Sequence, residues 1–176
     1  MPTPQRPPAD GPWQGFPPAW HPGCRVLVLG TFPGPRSLAE GGYYAHPRNA
    51  FWNVIGALEG FDPRGVPYRD RLDRMLARGI ALWDVLAGCR REGSEDSAIV
   101  DPVPNDFLDF LPRMAGLRGI LFNGQPAFRL WRRLVAPTLA GPVPECLVLP
   151  STSPAAARIP AMEKVRIWTE ALRSLT

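Results

Sequence analysis

Long hydrophobic runs are missing from this 176-residue chain. No stretch approaches the roughly 18 consecutive apolar residues a membrane-spanning helix needs, so such a helix is excluded. Cysteine is scarce and odd in number. Cys24, Cys89 and Cys146 lie far apart, fit neither a disulfide framework nor a zinc site, and cannot supply a four-cysteine iron–sulfur cluster within one chain. Lysine is almost absent: of 20 basic residues only Lys164 is lysine, the remainder being arginine. No basic-then-apolar run opens the sequence, so no secretory signal is expected. These absences predict a soluble protein of a reducing, cytoplasmic compartment.

Proline, by contrast, is abundant, with 23 residues, well above the usual share of about 5%. Eight of them fall in the first 22 positions, where they remove backbone donors and fix φ too often for a helix or an interior strand. Residues 1–20 therefore read as an extended proline-rich arm, pinned to the rest by Trp13, Phe16 or Trp20, and residues 21–176 as one domain. The net charge of +4 belongs to that domain, because Arg6 and Asp10 cancel within the arm. Such a modest basic excess permits a polyanionic partner without demanding one.

The domain opens on Val26-Leu27-Val28-Leu29, closed by Gly30. Ile80-Ala81-Leu82-Trp83, Ile120-Leu121-Phe122 and Cys146-Leu147-Val148-Leu149 are similar short apolar runs. Bounded by turn residues, they read as strands buried on both faces of a parallel sheet. Helical periodicity fills the gaps over residues 49–58, 68–78, 125–135 and 160–175, and Asn105 is placed to cap a short helix carrying Phe107, Leu108 and Leu111. The alternation predicts an α/β fold: a three-layer α/β/α sandwich around a central, mostly parallel four-stranded sheet. Right-handed crossovers put all four strand carboxyl ends on one edge, where open α/β sheets bind ligands.

Two of the segments after those ends are rich in chemistry. Gly30-Thr31-Phe32-Pro33-Gly34-Pro35-Arg36-Ser37 forms a tight turn with amides available to an anion, but it has neither the P-loop lysine nor dinucleotide glycine spacing. Tyr43-Tyr44-Ala45-His46-Pro47-Arg48-Asn49-Ala50-Phe51-Trp52 packs aromatic, imidazole, guanidinium and amide groups between a strand and a helix. Phe51 and Trp52 read as core. His46 reads either as an acid or as a hydrogen-bonding hub.

With these two strings the chain strongly resembles the first motif region of the uracil-DNA glycosylase superfamily. It is similar to the mismatch-specific uracil/thymine glycosylases and more so to the hypoxanthine-DNA (deoxyinosine) glycosylases. Leu82-Trp83-Asp84-Val85-Leu86, Arg91-Glu92-Gly93-Ser94-Glu95-Asp96-Ser97 and Phe122-Asn123-Gly124 agree with the latter branch, and Ser151-Thr152-Ser153-Pro154-Ala155 stands where the superfamily has its second motif.

The resemblance implies a hydrolase of the N-glycosidic bond, acting on a nucleotide flipped out of duplex DNA, and the scarcity of amines, with Lys164 the one lysine, predicts a monofunctional enzyme that leaves an abasic site. Hypoxanthine is the favoured base, with uracil as runner-up. A non-catalytic damaged-DNA-binding module and a nucleotide-handling enzyme are the rivals from other classes. Phe32 occupies the position where many relatives carry a water-positioning Asp or Asn. That role passes to Asn49, whose amide holds and orients a water. Ser153, where relatives have His or Asn, is the second catalytic candidate, donating to the leaving base. Tyr44 is expected to stack on the flipped base. Phe32 and His46 are expected beside it, Asp84 to read the base edge or to cap a loop, and Asn123 to donate to the base or to tie a turn. Gly34, Ser37, Arg48, Ser94, Ser97, Ser151 and Arg158 are the candidate phosphate contacts. The expected partner is DNA bearing deaminated bases, met by a monomer at the bacterial nucleoid. No metal or cofactor is expected, and Lys164 is placed in the final helix, away from the strand ends.

Overall fold

The computed structural model describes residues 12–93 and 96–176. Four parallel strands, β2 (Val26–Gly30), β3 (Ile80–Asp84), β6 (Gly119–Asn123) and β7 (Glu145–Leu149), form one sheet in the order β3-β2-β6-β7. Every residue of β2, β3 and β6 is buried, which requires helices on both faces and accounts for the uninterrupted apolar runs. The register sets Gly30 opposite Asp84 and Asn123 opposite Leu149, so the strands end level along one edge.

Around the sheet stand α1 (Pro35–Glu40), α2 (Phe51–Glu59), α3 (Tyr68–Ala77), α4 (Phe107–Phe110), α5 (Gln125–Leu130) and α6 (Ala161–Leu175). Helices α2 and α6 pack on each other, with the Phe51 and Trp168 rings edge-on at 6.4 Å. The predicted helix over 125–135 is α-helical only as far as Leu130. Trp131–Val135 is π-helical, and Trp131 is buried against Phe107 and Phe122.

Three local features differ from the expectations. The stretch after β2 contains α1. The stretch after β3 contains a hairpin of β4 (Leu86–Arg91) and β5 (Ile99–Pro104), to which β1 (Trp13–Gln14) adds an antiparallel third strand. The cap of α4 is Asp106, whose carboxylate accepts from the Asp109 amide at 3.0 Å, while Asn105 instead donates its side-chain N–H to the Asp84 carbonyl at 2.8 Å.

The described part of the proline-rich arm is docked. Phe16 is buried in the core, its carbonyl accepting from Trp83 Nε1 at 3.0 Å, and Pro17 O accepts from the Tyr43 hydroxyl at 3.1 Å. Ala19 exchanges both backbone hydrogen bonds with Leu82, so it covers the outer edge of β3. Residues 1–11 lie outside the described residues.

Candidate active site

At the carboxyl edge of the sheet lies a cavity of about 270 Å³, walled by the turn after β2, the Tyr43–Asn49 stretch, the ends of β3 and β6, and the Ser151–Ala155 loop. That is near the lower end of ligand-pocket sizes, about 300–1,000 Å³, and suits one heterocycle.

Asp84 forms part of its floor. The side chain is 3% exposed, and Oδ2 is buried without a hydrogen-bond partner. It fits only because residue 30 is glycine: a Cβ there would stand 2.3 Å from Asp84 Oδ1 and 3.1 Å from the Tyr44 hydroxyl. Burial, reinforced by the Asp96 carboxylate and opposed by Arg91, raises the Asp84 pKa to about 8. The buried carboxyl is therefore largely protonated at neutral pH and has a hydrogen to donate.

Tyr44 sits in the left-handed region, at φ 53°. Its ring lies 4.4 Å from Phe51 and tilted 36° to it, and its hydroxyl is buried beside Asp84 and Asn123. Burial and the neighbouring Asp84 push that phenol well above its ordinary pKa. Phe32 is buried at the wall with the Arg91 guanidinium over its ring, 5.5 Å from the centroid.

Asn49 is half-buried on the cavity wall. Its Oδ1 accepts from the Phe51 amide at 2.9 Å, which fixes the plane of the carboxamide at the start of α2 and leaves both Nδ2 hydrogens and one oxygen lone pair available. The next residue, Ala50, donates its amide to Thr152 O at 3.0 Å, joining the Asn49 segment to the loop after β7. Asn123 holds the same loop from the sheet: Thr152 N donates to its Oδ1, and its Nδ2 donates to Thr152 Oγ1, each at 2.8 Å. Asn123 also lines the cavity, and its second Nδ2 hydrogen is not used by the loop. In Ser153, Oγ accepts from the Ala155 amide at 3.2 Å, which leaves the hydroxyl hydrogen free to donate into the cavity. Ser151 lines the cavity too, its Oγ accepting from Ser153 N at 3.3 Å. His46 also lines it, and its Nδ1 accepts from the Arg48 amide at 3.1 Å.

The phosphate candidates divide. Gly34 and Ser37 reach the cavity, but Ser37 is buried with Oγ accepting from the Ala45 amide. Arg48 and Arg158 are exposed and stand outside the cavity lining, as does Ser97 in a short turn before β5. Ser94 lies outside the described residues.

Several site residues were missed by the sequence reasoning. Thr152, between the two serines it did name, is 1% exposed and is the joint of the loop. Arg91, with its side chain 3% exposed, donates to Pro33 O at 2.7 Å and faces Asp96, which accepts from the Thr31 hydroxyl at 2.9 Å. Both belong to the motif string after β3, but nothing in their spacing shows that the hairpin folds them back over the first turn. Lys164 is not remote from the strand ends. It is buried, and its Nζ donates to Ser153 O at 2.9 Å. Among the described residues no cluster of side chains suits a metal ion, and no helix is long and apolar enough to cross a membrane.

Comparison with known proteins gives concordant matches. The family profile of the uracil DNA glycosylase superfamily matches residues 17–175. A hypoxanthine DNA glycosylase of Methanosarcina acetivorans is 36% identical over 145 residues, spanning 82% of this chain and 89% of its own. Another, from Methanosarcina barkeri, is 38% identical over 112 residues, spanning 64% and 71%. The solution NMR structure of a Methanosarcina acetivorans protein, described as a candidate uracil DNA glycosylase, superposes with a TM-score of 0.77 at 33% identity, covering 92% of this chain and 97% of that one.

Proposed function

The chain belongs to the uracil DNA glycosylase superfamily, and from that premise we propose that it excises a deaminated base, hypoxanthine first, from DNA and leaves an abasic site. The observation that carries this reading is the buried Asp84 carboxyl, with its unpartnered Oδ2 at the floor of a base-sized cavity. A protonated carboxyl presents an O–H beside a C=O. Hypoxanthine presents O6 beside N1–H, and the two edges form a pair of hydrogen bonds. The flipped base then lies against Tyr44 and Phe32, where stacking is worth about 1–3 kcal/mol.

The chemistry falls to the chain's own residues. As the glycosidic bond lengthens, positive charge grows on the sugar and negative charge on the base. Asn49, held by the Phe51 amide, orients a water under the sugar. Because the sugar is already strongly electrophilic, orientation suffices and a strong base is not required. The Ser153 hydroxyl donates to the departing base, and the neutral form of Asp84 avoids placing a second negative charge beside it. The flanking phosphates are assigned to Ser151 at the cavity and to the exposed Arg48 and Arg158. The protein works as a monomer on nucleoid DNA in the cytoplasm.

The assay uses duplexes carrying a single inosine, uracil or xanthine, followed by alkaline cleavage. Strand scission at inosine, faster than at uracil, is expected. No product from any of the three would leave a damage-binding module in its place. A separate expectation concerns covalent chemistry. A strand-cutting glycosylase forms a Schiff base through an amine, and the chain's one lysine lies behind a backbone carbonyl. Borohydride should therefore trap no protein–DNA adduct during turnover, and a trapped adduct would refute the monofunctional assignment.

A further inference from the structure

Helix α6 grips the loop after β7 from behind. Lys164 Nζ donates to Ser153 O at 2.9 Å, and Trp168 Nε1 donates to Pro150 O at 2.8 Å. Four residues apart, the two side chains share one face of the helix and clamp the loop at both ends. Between those ends Thr152 is tied to Asn123 and, through its carbonyl, to the Ala50 amide. A continuous path of hydrogen bonds and backbone thus runs from Lys164 through Ser153, Thr152 and Ala50 to Asn49.

The cation is not explained by packing. Lys164 is 4% exposed and takes part in none of the salt bridges found among the described residues. Burial holds its pKa below the ordinary lysine value. Removing an ammonium from water is costly, and a methionine of similar length would fill the space without that cost. The chain otherwise uses arginine throughout, so its one lysine stands where a compact donor must reach a single carbonyl.

We propose that Lys164 is a positioning residue of the base-excision reaction, holding the Ser153 carbonyl so that the 151–153 loop and Asn49 keep their places at the cavity wall. The inference rests on the glycosylase reading above. Lys164 touches no reacting atom: it is absent from the cavity lining and acts through Ser153.

The test compares wild type, K164M, K164R and N49A in single-turnover excision at saturating inosine duplex, with duplex affinity and thermal transition measured alongside. K164M is expected to slow excision about 10- to 100-fold, the scale of a small misplacement of reacting groups, while the dissociation constant changes less than about twofold. K164R keeps the charge but replaces the compact ammonium with a wider planar head, and should also excise more slowly than wild type. In the N49A background K164M should cost less than about threefold further, because the route through Asn49 is already cut. K164M at the wild-type rate, or losses that multiply in the double variant, would overturn the inference while leaving the glycosylase reading intact. A wild type inert on every deaminated duplex overturns both. Should K164M not fold, K164Q replaces it: slowed excision at unchanged affinity supports the inference, and wild-type excision overturns it.

Discussion

Asn49→Ala should abolish most of the excision activity, by on the order of 100-fold or more in single-turnover rate, while leaving duplex binding near that of wild type. The size follows from the task. Holding a nucleophile in line with the reacting carbon recovers a large part of the entropic barrier, and a misplacement of about 1 Å can cost about 10²-fold. The selectivity for rate over binding follows from geometry. Asn49 lines the cavity, whereas the arginines placed to meet phosphate lie outside it. Losing the Oδ1 bond to the Phe51 amide costs α2 one cap-like contact, worth about 1 kcal/mol, so the variant should remain folded. Electrophoretic mobility shift on the inosine duplex beside the cleavage assay separates the two effects. An Asn49→Ala enzyme of undiminished rate would pass the water-orienting role to His46 or Asp84.

The second large effect is a pH dependence set by Asp84. Its carboxyl titrates near 8 in the folded chain because it is buried beside Asp96, against about 3.9 when unfolded. A proton is therefore bound more tightly by the native state. The contribution of Asp84 to stability is fully present below the unfolded value and is lost as pH climbs from about 4 towards 8, by a total on the order of 5 kcal/mol. Activity should follow the same sign: in the proposed function the protonated form donates to the base, so excision should fall as pH passes about 8. In Asp84→Asn the side chain keeps one donor and one acceptor and loses the titration. That variant should gain stability over wild type at pH 8 but not at pH 4, and its rate should stay level across the alkaline range. Chemical denaturation at the two pH values and a rate profile from pH 6 to about 10 decide this. An unaltered alkaline limb in Asp84→Asn would show that another group titrates there.

Strands β2, β3 and β6 could be located from the chain alone because burial on both faces leaves them apolar up to their last residues, and β7, only partly buried, showed through its run Cys146-Leu147-Val148-Leu149. Helix α6 was equally clear from the stripe through Val165, Trp168 and Leu172. The hairpin was not, for the opposite reason. One strand runs Gly88-Cys89-Arg90-Arg91 and the other carries Pro102 and Pro104, with register shifts where they pair, so no period emerges. Asn105 and Asp106 are adjacent and both able to cap, and only the tertiary demand of the Asp84 carbonyl decides between them. At the site, residues whose polar groups face the cavity were recognisable by type, whereas Thr152 and Arg91 act through bonds between segments distant in sequence. Lys164 was the missed opportunity. It lies four residues before Trp168, on the buried stripe, and a lone lysine on an apolar face needs a buried partner.

Tyr44 carries a further consequence for anyone engineering heat tolerance into this enzyme. A bulky side chain at φ 53° holds the backbone where glycine would rest more comfortably, and Asp84 confines a carboxyl where leucine would pack at no electrostatic cost. Both positions spend folding free energy on the pocket. Selection for melting temperature alone would drift towards replacing them and return a sturdier molecule that repairs nothing, so a useful screen must score surviving excision in the same round.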